Sequence, residues 1–107
     1  MEVRVTSLPE ALAELVALLE AQAPNAATAQ QDALATAITY QADLEQLFVE
    51  NEGEMPGARL EQNRLRRWWQ YTDRLWVVYE VTDRRRRFRS TIRTVTIVGF
   101  EAALPGA

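Results

Sequence analysis

Three groups of side chains in this sequence could do chemistry. One is basic and aromatic together: Arg66, Arg67, Trp68 and Trp69 in succession, followed by Trp76, Arg84, Arg85, Arg86, Arg87, Arg89 and Arg93. Another is a set of alternating carboxylates, Glu50, Glu52 and Glu54, around Gly53. The last is a pair of tyrosines, Tyr71 and Tyr79. All twelve basic residues are arginine, and the chain contains no Lys, His or Cys. Guanidinium groups stabilise phosphates, carboxylates and aromatic faces, but with a pKa above about 12 they do not exchange protons near neutrality. Acid-base work would therefore fall to carboxylates or tyrosines. Tyr79 sits in the most apolar stretch, where a core tyrosine with a satisfied hydroxyl is the expectation. The missing Cys and His exclude disulfide frameworks, thiolate nucleophiles and Cys/His zinc sites. The alternating glutamates could hold a hard cation, but no defined loop motif surrounds them and a solvated helix end is the better reading. No metal and no cofactor are expected.

The 107 residues carry a net charge of -3 that conceals an asymmetry. Residues 1 to 56 hold one arginine against ten carboxylates, a balance of -9, and residues 57 to 107 hold eleven arginines against five carboxylates, a balance of +6. Charge separated in this way steers a partner of defined sign. The same asymmetry also arises where solvated helices favour Glu and strand edges favour Arg. No apolar run approaches the roughly 18 residues of a membrane span, and Glu2 followed by Pro9 is unlike a secretory leader, so a cytoplasmic protein without membrane contact is expected.

These groups must be positioned by one small domain spanning residues 1 to 107. Glu2 to Thr6 alternates polar and apolar residues and predicts a strand. Ser7 and Glu10 form a capping pattern around Pro9, and Leu12, Leu15, Val16 and Leu19 predict a helix over about 9 to 22, stopped by Pro24. Asn25 is placed to cap a second, longer helix after a connection of about three residues. Its stripe is Ala33, Ala37, Tyr40, Leu44 and Leu47, flanked by Leu34, Ile38 and Phe48. From residue 64 the period becomes two, which predicts strands over 64 to 71, 74 to 82 and 89 to 100, with turns at Thr72-Asp73 and Asp83 to Arg87. The fold class is therefore α+β in the order β-α-α-β-β-β, an antiparallel helical pair on one face of a small, mainly antiparallel sheet. Alternation places Arg64, Arg66, Trp68 and Gln70 on one face of their strand and Leu65, Arg67, Trp69 and Tyr71 on the other, so one tryptophan enters the core and one faces outward.

Four stretches resemble the RelE/ParE superfamily of toxins from type II toxin-antitoxin modules. Leu8 to Leu15 is similar to that family's first helix, and Ala23-Pro24-Asn25-Ala26-Ala27 to its Pro-x-Ala-Ala hinge. Trp76 to Asp83 resembles its central strand, written Arg-Val-x-Tyr-x-Val-x-Asp, and Val95 to Phe100 its closing strand. The resemblance implies a growth-inhibiting toxin, of the kind also known as plasmid stabilisation proteins. One branch of the family cleaves messenger RNA in the ribosomal A site, and the ParE-like branch poisons DNA gyrase without nuclease activity.

Nucleolytic members carry basic residues on the middle strands, an Arg opening the central strand, and a basic residue plus a Tyr near the C-terminus. Here Arg67 is kept, but Trp69 follows two residues later and Trp76 replaces the central-strand Arg. Phe100 and Glu101 follow Gly99, and residues 102 to 107 contain no Tyr. The resemblance therefore implies a ParE-like protein with no catalytic residues, acting by protein contact and neutralised by a cognate antitoxin through which it also oligomerises. DNA gyrase is the candidate target ahead of the ribosome. Arg67, Trp69, Trp76, Arg89 and Arg93 are the expected partner contacts, with Arg84, Arg85, Arg86 and Arg87 as an electrostatic lure. The alternatives are a divergent endoribonuclease using Arg67, Arg93 and Glu101, and an inert partner-binding member of the fold.

Overall fold

A computed structural model describes residues 1–61, 65–87 and 90–103. The elements run β1 (Glu2–Ser7), α1 (Pro9–Gln22), α2 (Ala29–Glu50), β2 (Arg59–Leu60), β3 (Arg66–Thr72), β4 (Leu75–Arg85) and β5 (Thr91–Ala102). They form one five-stranded sheet in the order β1-β5-β4-β3-β2, in which β1 lies parallel to β5 and every other pair is antiparallel. The fold class is α+β, and the last three strands form the expected meander. The two-residue β2 is an addition to the expected order.

Both helices begin differently from the capping patterns. Ser7 is retained in the β1–β5 ladder opposite Ile97, and the Leu8 amide continues that contact by donating to Ile97 O at 3.0 Å. The cap of α1 therefore falls to Leu8, with Pro9 in the first turn, where no intrahelical donor is required. Neither Ser7 nor Glu10 makes a capping bond. Asn25 closes a turn of its own, its Oδ1 accepting from the Ala27 amide at 3.0 Å, and α2 starts only at Ala29. The connection is thus six residues long, and it folds α2 back against α1.

The core lies between the helices and one sheet face. Ala11, Leu15 and Leu19 of α1 and Ala33, Ala37, Leu44 and Phe48 of α2 bury against Leu75, Val77, Tyr79 and Val81 of β4 and Val95, Ile97 and Phe100 of β5. Small alanines at the helix contacts permit this close packing. The flanks of the α2 stripe divide: Phe48 is buried, whereas Leu34 and Ile38 are exposed. A β-bulge decides the end of β5. Tyr79 pairs with Ile97 and Val78 with Gly99, so Val98 is an extra residue and the alternation flips. Phe100 thereby joins Val77 in the core, and Glu101 emerges beside Trp76 on the uncovered face.

Candidate partner-binding surface

The loop after α2 organises the helix-covered side. Glu52 and Gly53 both adopt positive φ, 53° and 76°, and the Gly53 amide donates to Phe48 O at 2.9 Å, which ends the helix. A side chain at Gly53 would meet Val95 Cγ2 at 3.0 Å. The last turn of α2 contains no basic residue, although its carbonyls form the negative end of the helix dipole. Two arginines from the sheet supply that charge. Arg93 donates to Glu52 O at 2.8 Å and binds Asp83 through Nε at 2.7 Å and Nη2 at 2.9 Å. Arg67 donates to Glu54 Oε2 at 2.8 Å and to Gly53 O at 3.4 Å. Glu54 also receives Arg93 at 3.4 Å, so one of the three alternating carboxylates neutralises arginines of the chain itself.

The aromatic residues on this side are committed too. Tyr79 is fully buried and donates its hydroxyl to Gly53 O at 3.3 Å. Trp69 lies edge-on to Phe48 and donates its indole N–H to Pro56 O at 3.1 Å. Tyr71 meets Tyr40 edge-to-face and donates its hydroxyl to Asp43. Burial, and then the Asp43 hydrogen bond, pushes the Tyr71 hydroxyl above its ordinary range, and burial raises Tyr79 against the pull of Arg67. The Arg93 hydrogen bond holds Asp83 below the usual carboxylate range, and Asp83 in turn raises Arg93. Each of these shifts moves a proton-exchanging group further from neutrality, the opposite of what acid-base catalysis requires.

The three residues of the nuclease alternative are not brought together. Arg67 and Arg93 converge on Glu54, whereas Glu101 sits opposite Trp76 on the other face, eight residues along β5 from Arg93. That spacing corresponds to roughly 25 Å of strand.

The uncovered face has a different character. Trp68 pairs with Val78 and Gln70 with Trp76, which places both indoles on this side, diagonal to one another. With Arg59, Leu60, Glu61, Glu101 and Ala102 they line an open cleft of about 430 Å³. The Arg59 guanidinium lies 5.3 Å from the centre of the Trp76 ring, a cation–π contact. Leu60, in the cleft lining, and Leu65, just before β3, are each 65% exposed. Further along, Arg66 reaches Glu80 at 3.3 Å, while its Nε–H is buried and finds no acceptor among the described residues.

The arginine run divides between strand and turn. Arg84 and Arg85 continue β4, opposite Ile92 and Thr91, and Arg86 and Arg87 lie in the following turn. Arg89 lies outside the described residues. No family model and no curated protein matches this chain.

Of the expected contacts, then, Arg67, Trp69 and Arg93 belong to the helix-covered side, Trp76 to the open cleft and Arg84 to Arg87 to the hairpin end. Trp68, Arg59 and Leu60 join the cleft without being among the expected partner contacts. Alternation separates Trp68 from Trp69, but only the β3–β4 register puts Trp68 on the same side as Trp76.

Proposed function

We propose that this protein acts by protein contact as a ParE-like toxin component of a toxin-antitoxin module, with its open sheet face taking a partner segment. The observation that carries the reading is the division of the sheet. Arg67, Arg93, Tyr71 and Tyr79, the residues suited to phosphate or proton chemistry, are tied into ion pairs and hydrogen bonds on the helix-covered side, whereas Trp68, Trp76 and Arg59 border an open cleft on the uncovered face. Trp and Arg are the side chains most enriched at the energetic centres of protein interfaces. The cleft of Trp68, Trp76, Arg59 and Leu60 suits a partner segment bringing apolar and acidic side chains, supplied by the target and competed for by the antitoxin. The order of elements and the four stretches that resemble RelE/ParE toxins support the toxin assignment, and Trp76, Phe100 and Glu101 at the nucleolytic positions support the ParE-like branch, whose target is DNA gyrase.

Expression of the chain alone, with separate reporters for translation arrest and for the DNA-damage response, tests the reading. Growth arrest with the DNA-damage reporter induced is the expected result. Cleavage of messenger RNA on translating ribosomes, or normal growth at high soluble expression, would contradict it.

A further inference from the structure

The sheet has two unequal edges. β2 ends one of them with only two residues, and β1 ends the other with six. β1 follows β5 in unbroken parallel register from Glu2–Ile92 to Ser7–Ile97, and the Leu8 amide continues it by donating to Ile97 O at 3.0 Å. Successive residues of a strand turn their N–H and C=O groups to opposite sides, so Glu2, Arg4, Thr6 and Leu8 serve β5. The N–H and C=O groups of Val3, Val5 and Ser7 therefore point away from the sheet. Among the described residues they find no hydrogen-bond partner.

Natural sheets commonly blunt such an edge with proline, a bulge or a covering segment. β1 contains neither proline nor a bulge. Val3 and Val5 pack toward the core, which by alternation leaves Glu2, Arg4 and Thr6 on the open face, where Arg4 Nε donates to Glu2 at 2.5 Å.

We propose that β1 pairs antiparallel with β1 of a second copy of this chain, across a two-fold axis at Val3. The charges select both the occupant and the register. Opposite residues must lie on the same face, so the axis falls at a residue position. At Arg4 it would set the two Arg4 side chains directly opposite, at the close spacing of a non-hydrogen-bonded pair, where like charges repel. At Val5 it would set Arg4 against Thr6 and leave Glu2 opposite Leu8. At Val3 it sets Glu2 opposite Arg4 of the second copy, and Arg4 opposite its Glu2. Val3, with its N–H and C=O turned outward, then exchanges both bonds with Val3 of the second copy. Met1, 59% exposed, comes to lie beside Val5 of the second copy. A second copy supplies this charge match by symmetry, whereas an unrelated strand would need Arg and Glu at the same spacing. The pairing is short against the roughly 1,600 Å² of a standard interface, so the dimer is weak and reversible. Its two open clefts face the same side of one continuous sheet.

The inference stands on the β1 edge and is independent of the proposed toxin activity. It is tested by sedimentation of the purified chain from about 5 to 500 μM, a range suited to a weak interface. Wild type should pass from monomer to dimer. E2R and R4E should each raise the dissociation constant at least about tenfold, because both charge pairs become repulsive. An equimolar mixture of E2R and R4E should form a heterodimer, since every Arg of one then meets a Glu of the other. V3P removes an outward donor and should abolish the dimer while melting close to wild type, whereas R4P removes a donor to β5 and should melt lower. A monomer at every concentration would overturn the proposal and leave the edge to a strand of another protein. So would wild-type association by E2R and R4E, a mixture no more associated than its separate components, or a dimer of folded V3P as tight as wild type.

Discussion

The two faces of the sheet handle the same residue types in opposite ways. On the helix-covered side, Arg67 and Arg93 are folded onto Glu54, Asp83 and the carbonyls of the loop after α2, and Trp69 is packed on Phe48 with its indole N–H satisfied. On the uncovered face, Trp68 and Trp76 border an open cleft, Arg59 rests on an indole, and the buried Arg66 Nε–H finds no acceptor among the described residues. An arginine or tryptophan in this sequence therefore has no fixed meaning. Its face decides whether it closes the fold or remains available to a partner.

The largest test of that division is a truncation on each side. Phe48→Ala should destabilise the protein by about 3 to 5 kcal/mol, the usual range for a buried aromatic. Trp68→Ala should cost less than half as much by denaturant titration. Equal losses would mean that the open face is also core.

The glycines give a smaller contrast. Gly53 and Gly57 both have positive φ, 76° and 79°, but only Gly53 has neighbours in the space a side chain would fill. Gly53→Ala should cost about 2 to 3 kcal/mol from backbone strain and the clash with Val95, and Gly57→Ala about 1 kcal/mol from strain alone. Thermal melts of the two variants measure the difference.

Among the arginines, Arg93→Ala should destabilise the protein more than Arg85→Ala, because Arg93 ties β4, β5 and the loop after α2 together through Asp83 and the Glu52 carbonyl, while Arg85→Ala should stay within about 0.5 kcal/mol of wild type. Chemical denaturation of both variants checks this.

The pH limbs should show the smallest effects. Asp83 is depressed in the folded state, so its contribution is present above the ordinary Asp pKa of about 3.9 and is lost as pH falls through the folded value. Asp83→Asn should flatten the acid limb below about pH 4. Tyr71 and Tyr79 are raised, so folding favours their neutral forms and stability declines above about pH 10. Tyr71→Phe and Tyr79→Phe should each flatten that alkaline limb.

Much of the architecture could be read from local pattern. The first strand, the first helix, the helical pair and the three-strand meander follow from period and breakers, and Tyr79 was recognisable as a core residue from the apolar stretch around it. The misreadings have a common origin in tertiary contacts. Ser7 has the chemistry of a cap but is retained by β5, and Asn25 spends its side chain on a turn before α2 begins. Asp83 to Arg85 look like a turn and instead extend β4, because β5 supplies a partner for each of them. At the candidate site, alternation separates Trp68 from Trp69, but the bulge at Val98 that sends Glu101 to the open face leaves no local signal. Nor does the sequence reveal that Arg67 and Arg93 meet at Glu54, since that depends on where the α2 loop comes to rest.

Growth after expression of the W68A/W76A variant, compared with wild type at matched soluble level and melting temperature, tests the central claim most directly. Wild type should arrest growth and induce the DNA-damage response, and the variant should do neither. Undiminished arrest by a folded W68A/W76A protein would contradict the assignment of the open sheet face as the surface that meets a partner.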